Sequence, residues 1–260
     1  MSEIATRTAQ CRHGVFTYHS EDRFLGASLR IYGEWSEDEV RMYDAFLKPT
    51  DVVIEVGANI GALTVPLSRR CKEVFAFEPQ PQNYELLCKN LSTNGIHNVS
   101  FYPYAIGAKN DKVNIPSIAE IDEAHGVIGD YGGFEIGSGH FTVEQRSLDN
   151  FKALFGHKIA FIKMDCEGSE LEVLKGAEQL IKRDWPLLYI ENDKKDKSAS
   201  LIEWLVDNGY HCYWHRPPLY REDNYRKYVE NLFGDSNSIN MICCRDRKRN
   251  TDWLREEVLV

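Results

Sequence analysis

The sequence predicts an α/β protein built on a doubly wound, mostly parallel sheet with helices on both faces. Three observations carry this. Short apolar runs alternate with helical segments from residue 52 to residue 208, the pattern of crossover-connected parallel strands. The runs are nearly continuous in apolar residues, as strands covered on both faces must be. Several runs also end in an acid, at Glu55, Glu78, Asp165 and Glu191. Such sheets bind ligands at the carboxyl ends of their strands.

Residues 1–48 precede the first core strand and are expected to form an extension that caps the core. Within them, residues 37–47 read as a helix, and Ser36 with Glu39 fits a capping box. Residues 49–260 are expected to form a single domain. Its first strand is 52–56. A helix over 62–70 tolerates Pro66 only in its first turn or two. The second strand is 73–77, followed by a helix over 81–94 that stops at Asn94-Gly95. Strands follow at 99–104 and 159–164. Residues 169–182 read as one helix with Leu171, Val173, Leu174, Ala177, Leu180 and Ile181 as its apolar stripe. A strand at 187–190 and a helix over 198–208 complete the alternation. Residues 210–215 and 238–243 then close the sheet as an antiparallel pair, making seven strands with the last one antiparallel. Residues 116–146 hold Gly126, Gly129, Gly132, Gly133, Gly137 and Gly139. An insertion of this length is usually functional, and it reads as a substrate lid over the sheet's carboxyl edge.

The turn after the first strand reads Glu55-Val-Gly57-Ala-Asn59-Ile-Gly61. It lacks the third-glycine spacing of Gly-x-Gly-x-x-Gly, the dinucleotide fingerprint. Glu55 stands two residues ahead of the first glycine, where its charge would repel a pyrophosphate. The same charge attracts an ammonium or a sulfonium. S-adenosylmethionine carries both cations and no phosphate, so it is the expected cofactor. Glu78 ends the next strand, and its two oxygens can accept hydrogen bonds from both ribose hydroxyls. The competing reading is a nicotinamide enzyme, or acids that merely cap helices. Tyr104 and Ala105 are expected beside the adenine; a surface aromatic is an equal reading of Tyr104.

On these residues the chain resembles the FkbM-type S-adenosylmethionine-dependent methyltransferases. The matching stretches are Tyr32-Gly33-Glu34-Trp35 with Glu37 and Glu39, Glu55 to Gly61, Phe77-Glu78-Pro79, Ala105-Ile106-Gly107 and Ser147-Leu148-Asp149. The most characteristic is the block from Ile162 to Ala177 around Met164-Asp165-Cys166-Glu167-Gly168. The likeness runs from about His13 to Cys244. Glu55 stands where Asp is frequent and Cys166 where Val is common, and neither change threatens cofactor binding. The glycines around Asp130 to Gly133 match less closely. The resemblance implies a Rossmann-like class I methyltransferase fold and a family acting on glycans, polysaccharides and polyketide products.

Methyl transfer to oxygen is an in-line displacement that needs an aligned nucleophile and removal of a hydroxyl proton. Strand alternation puts Phe161, Lys163 and Asp165 on one side of the sheet. Asp165 is the expected base or substrate-orienting acid and also reaches the cofactor side of the cleft, with Glu167 as its partner. Glu167 reads equally as a first-turn acid on a helix dipole. Lys163 either pairs with these acids and holds them charged or is a snorkelling strand-end lysine. Glu191 and Asp193 end the fifth strand. Glu191 either orients a sugar hydroxyl or joins Asp165 around a divalent cation; a metal is allowed but not favoured. His215 is the best histidine candidate for the base, against a packing role. Tyr32 and Trp35 are candidates to stack on the acceptor or cofactor, with core packing as the other reading.

Composition narrows the rest. The chain has 260 residues, 43% hydrophobic and 12% aromatic, so a sizeable core is expected. A formal net charge of -9 argues against a nucleic-acid or anionic-membrane partner. No run approaches the ~20 apolar residues that span a bilayer, and residues 1–10 lack the layout of a signal peptide. Seven cysteines without a Cys-x-x-Cys pair read as reduced thiols in a cytoplasmic protein rather than a zinc site. The expectation is an O-methyltransferase acting on a saccharide or related polar small molecule, as a monomer or homodimer. A nucleic-acid or protein methyltransferase is the alternative, as is a non-catalytic cofactor-binding protein. The Asn/Asp-Pro-Pro-aromatic motif of amino-group methylation is absent; Glu191-Asn192-Asp193-Lys194 stands in its place.

Overall fold

An N-terminal hairpin, β1 (Thr6–Cys11) and β2 (Gly14–His19), opens the fold. The structure is a computed structural model, and it describes residues 5–118, 136–246, 253–254 and 256–258. Two helices follow, α1 (Leu25–Ile31) and α2 (Glu37–Phe46). The core then runs through β3 (Val52–Val56), α3 (Thr64–Ser68), β4 (Glu73–Phe77), α4 (Pro81–Thr93) and β5 (Val99–Tyr102). A small separate sheet is made of β6 (Ala105–Ile106), β7 (Asp111–Ile118) and β8 (Ile136–Arg146). The core resumes with β9 (Ile159–Met164), α5 (Glu170–Lys175), α6 (Glu178–Asp184), β10 (Leu187–Glu191), α7 (Lys195–Asp207), β11 (His211–His215) and β12 (Asn240–Cys244).

The main sheet has seven strands in the order β11-β12-β10-β9-β3-β4-β5. The five from β5 to β10 pair in parallel, and β12 runs antiparallel to both of its neighbours. The chain leaves β3 toward β4 on one side and returns as β9 on the other. The crevice between these two crossovers lies at the strands' carboxyl ends, the place where doubly wound sheets bind ligands.

Each face of the sheet carries its own apolar core. On one face Val53, Phe161, Leu187, Tyr189 and Ile242 pack against the hairpin, α2, α3 and α4. On the other, Ile54, Phe75, Ile162, Met164 and Leu188 pack against α5, α6 and α7. Every one of these side chains is at most 3% exposed. Each contributes about 1.5–3 kcal/mol by leaving water, which is why the strands read as unbroken apolar runs.

The expected helix over 169–182 is in fact two. The break falls at Gly176, where a Cβ would lie 2.1 Å from the Gly107 carbonyl oxygen. Asp149 then caps α6 from outside, accepting the Gln179 and Leu180 amides at 3.0 and 2.8 Å. The expected capping box at Ser36 is also absent. Ser36 takes a left-handed φ of 44°, and its hydroxyl donates to Glu39 Oε1 at 2.7 Å instead of meeting a backbone amide. The hairpin of residues 6–19 was not foreseen. It is fastened to α4 by Asn90, which accepts the Thr17 amide at 2.7 Å and donates to the Thr17 carbonyl at 2.9 Å. The glycine-rich centre of the expected lid, residues 119–135, lies outside the described residues; its flanks are β7 and β8.

Candidate active site

A cleft of about 700 Å³ opens at the carboxyl ends of β3, β4, β9 and β10. Its floor is set by sheet register. Glu55 on β3 lies opposite Lys163 on β9, which lies opposite Tyr189 on β10. All three face α2, which lowers Glu39 into the same cleft. Lys163 is 2% exposed, and its Nζ meets Asp165 Oδ2 at 3.1 Å. Burial pulls its pKa down. The carboxylates of Asp165, Glu39 and Glu55 outweigh that and hold its pKa above the usual lysine range.

At the β3–β4 end the main chain does most of the shaping. Gly57 has φ 83° and its amide donates to the Phe77 carbonyl at 2.9 Å. A Cβ at this position would lie 1.8 Å from the Asp165 carbonyl oxygen, so only glycine lets the loop pass under β9's end. Gly61 instead packs on Leu87. Asn59 is left-handed, with φ 51°, which aims its amide at Glu78 Oε2, 2.8 Å away. The Gln80 amide meets Glu78 Oε1 at 2.9 Å. Each Glu78 oxygen keeps acceptor capacity for a hydroxyl. Burial pushes Glu78 up to about 7 against those two amides.

Glu55 is 1% exposed, and neither of its oxygens has a hydrogen-bond partner. Burial pushes it up to about 7 against the pull of Lys163. An enclosed carboxylate without a donor is a site for a cationic or N–H ligand. With the paired acceptors of Glu78 and the glycine turn between them, this set fits a cofactor that presents a cation and a ribose. Ala105 and Ile106 also line the cleft.

Four acids gather at the β9–β10 end. Carboxylate oxygens of Asp165, Glu167 and Glu191 converge within 4.8 Å of one another. Two lysines answer them: Lys163 at Asp165, and Lys194 between Glu167 and Asp193 at 3.0 Å each. Glu191 Oε2 is enclosed and has no partner. Burial first, then the charges of Asp165 and Glu167, raise Glu191 well above the usual carboxylate range. Glu167, itself left-handed at φ 54°, is pushed up to about 7 by burial and by Asp165. Lys163 and Lys194 offset part of this charge, and the three converging carboxylates could also hold a cation.

The cleft wall includes Asp165, Glu167, Lys163, Glu191, Asp193, Glu55, Gly57, Asn59, Glu78, Ala105 and Trp35. Gly61 stands just behind the turn. Three other expected residues lie elsewhere. Tyr32 is 1% exposed and packs among Tyr220, Tyr228 and Phe233, its hydroxyl taking the Leu232 amide at 2.8 Å. Tyr104 stacks on Tyr102 and packs on Phe151, with Arg146 over its ring. His215 Nδ1 lies 2.9 Å from the Tyr189 hydroxyl. Burial lowers the His215 pKa to about 4, which makes it a poor proton acceptor near neutral pH. Tyr32 thus follows its packing reading, while Tyr104 and His215 are half-buried rings set among other aromatic side chains.

Two contributions were missed. Glu39 is 4% exposed in the cleft; the sequence marked it as part of a family-like stretch and a helix cap, but gave it no place in the site. Leu219 and residues 237–239, on the long connection from β11 to β12, also line it, with Asn240 at the start of β12. No local pattern marks that connection. Ion pairs to the N-terminal region hold it in place: Arg221 with Asp38, and Arg41 with Asp223 at 2.8 Å. Glu34 adds a carboxylate that takes the Tyr225 amide at 2.7 Å.

Comparison with known proteins agrees with this geometry. The methyltransferase FkbM domain model matches residues 55–212, more than half of the chain. Over 142 residues the chain is 30% identical to a hexuronic acid methyltransferase, AglP, of Haloferax volcanii, covering 54% of this chain and 55% of that protein. Over 211 residues it is 24% identical to methyltransferase 1 of Beauveria bassiana, covering 68% and 79%. The chain thus spans about half the length of the first relative. Among solved structures, an FkbM methyltransferase from Methylobacillus flagellatus KT superposes with TM-score 0.52 at 17% identity, over 75% of this chain and 44% of that one. A precorrin-6y C5,15-methyltransferase from Geobacter metallireducens GS-15 gives TM-score 0.50 at 13% identity, over 80% and 88%. At those identities the likeness is one of fold.

Proposed function

The chain belongs to the FkbM family of S-adenosylmethionine-dependent methyltransferases, and on that premise we propose that it methylates a hydroxyl of a saccharide or related polar small molecule. The observation that carries this is the acceptor end of the cleft. Asp165, Glu167, Glu191 and Asp193 offer many acceptors for hydroxyl groups in one small volume. The name of the Haloferax relative, a sugar-acid methyltransferase, supports the same class.

When bound, S-adenosylmethionine supplies an electrophilic methyl group on a sulfonium. On this reading Glu78 accepts from the ribose hydroxyls, and Glu55 faces the cofactor's positive charge. Asp165 stands at the sheet's switch point and accepts the proton of the acceptor hydroxyl. Lys163 orients Asp165 through their 3.1 Å contact. Glu167 and Asp193, joined by Lys194, and Glu191 beside them hold neighbouring hydroxyls in line. Trp35 gives the acceptor an apolar wall. His215, committed to Tyr189, takes no part.

The test is a labelled-methyl transfer screen over neutral sugars, uronic acids, nucleotide sugars, small alcohols and RNA, with and without chelator. Transfer to a sugar or small-alcohol hydroxyl is expected. Transfer to RNA alone, or to nitrogen alone, would overturn the reading.

A further inference from the structure

Four ionisable side chains meet on the cleft floor, and their charges do not balance. Lys163 is the cation, and Glu39, Glu55 and Asp165 surround it. Asp165 Oδ2 is the one carboxylate oxygen within ion-pair distance of Lys163 among the described residues, at 3.1 Å. Glu39 spends Oε1 on the Ser36 hydroxyl at 2.7 Å. Glu55 has no hydrogen-bond partner on either oxygen; the Thr64 hydroxyl lies beside it without reaching bonding geometry. Fully ionised, the buried Glu39 and Glu55 with the 39%-exposed Asp165 side chain would set three negative charges against one positive, two of the three out of water. A buried surplus of that kind is relieved by taking up protons. Burial accordingly pushes Glu39 and Glu55 each up to about 7. Such a pair ionises when a cation enters and takes its protons back when the cation leaves.

Glu39 comes from α2, ahead of the residues that the family model matches. It nevertheless lines the same cleft as Glu55 and Asp165. We propose that Glu39 is part of the cofactor site, where with Glu55 it reads the sulfonium charge, gripping S-adenosylmethionine as a carboxylate pair and loosening around the uncharged thioether of the demethylated product. The inference rests on the cofactor and not on the identity of the acceptor. Substrate and product share the ribose, the adenine and the amino acid, so what is left to be sensed is the methyl group and the charge it places on sulfur. Binding of the charged form sends the carboxyl protons to solvent; no bond other than those O–H bonds changes.

The groups facing the pair are few. Tyr43 and Ser36 come from α2 and its entry, Thr64 from α3, Cys71 from the turn after it, Lys163 and Asp165 from β9 and its end, Tyr189 from β10 and Glu78 from the end of β4; burial keeps the Cys71 thiol protonated here, at about 12. Burial holds Tyr43 and Tyr189 far above the range of interest, and Lys163 stays charged. Glu78 titrates alongside the pair, up to about 7, but its oxygens already meet two backbone amides. Substituting Glu39 therefore removes one carboxylate and leaves the ribose contact intact.

The test is calorimetric titration of S-adenosylmethionine and of S-adenosylhomocysteine at pH 6, 7 and 8. Buffers of different ionisation enthalpy count the protons released. In the wild type, preference for the charged form should rise about tenfold from pH 6 to pH 8, the size of one partly screened charge contact. Proton release should accompany the charged ligand more than the neutral one. Glu39→Gln should keep S-adenosylhomocysteine affinity within about twofold while losing about threefold or more of the preference at pH 8. Glu39→Asp, which restores the charge, should recover the pH dependence. Three outcomes would overturn the proposal: a wild-type preference that is flat with pH, an unchanged preference and proton count in Glu39→Gln, or a parallel loss of both ligands in that variant, which marks a structural role.

Discussion

Glu78 directly follows β4 and Glu191 ends β10, yet the protein treats their carboxylates oppositely. Glu78 is fixed by backbone amides from Asn59 and Gln80, at 2.8 and 2.9 Å. Glu191 has no hydrogen bond to its enclosed Oε2, and its neighbours Glu167 and Asp193 are joined only through the flexible stem of Lys194. The cofactor end of the cleft is thus cut by the main chain and the acceptor end by side chains. A ligand common to a family needs a cradle that point substitutions rarely alter. An acceptor that differs between members needs walls that a few substitutions can rebuild.

The sharpest way to break this comparison is at the residue both ends share. Asp165→Asn keeps shape and removes the proposed proton acceptor. Turnover should fall by roughly 100- to 10,000-fold, while calorimetric cofactor affinity stays within a few-fold. Near-normal turnover would return Asp165 to a structural role. Next in size is the main-chain cradle itself. In Gly57→Ala a Cβ would press on the Asp165 carbonyl at 1.8 Å, at a φ of 83°. That should cost about 1–3 kcal/mol in denaturant melts and weaken cofactor binding by more than about tenfold. Full cofactor affinity in this variant would show that the turn is not held by close approach.

The smallest effect is a pH dependence of stability. Folded Glu39 binds its proton up to about 7, above the ordinary carboxylate value of 4.5. Its protonation therefore favours the folded state, fully below pH 4.5 and progressively less as pH rises to 7. His215, lowered to about 4 by burial, acts in the opposite sense across that window. The difference between variants isolates Glu39. Relative to wild type, Glu39→Gln should raise Tm by a few degrees at pH 8 and by little at pH 5. An equal shift at both pH values would remove Glu39 from the set of buried, proton-linked groups.

Most of the sheet was legible because buried parallel strands announce themselves by unbroken apolar runs. The strands at 73–77 and 159–164 fall where the sequence placed them. The acids Glu55, Glu78 and Asp165 were legible because each stands at such a strand's carboxyl end. The helix break at Gly176 was not, since its cause is contact with Gly107, which is remote in sequence. Nor was Glu39, whose local spacing satisfied a simpler rule. For Tyr32 the sequence allowed both stacking on a ligand and core packing, and could not choose between them. An aromatic within a motif looks functional, but Tyr220, Tyr228 and Phe233, nearly 200 residues away, enclose it.

Local chemistry therefore determined the fold class, the family and the turn that receives the cofactor, since those depend on periodicity and on neighbours along the chain. Tertiary structure alone decided which carboxylates share a buried space, because burial and charge pairing depend on elements that meet only after folding. Lys163 acquires Glu55 through strand register and Glu39 through the packing of α2, and no spacing in the sequence records either meeting.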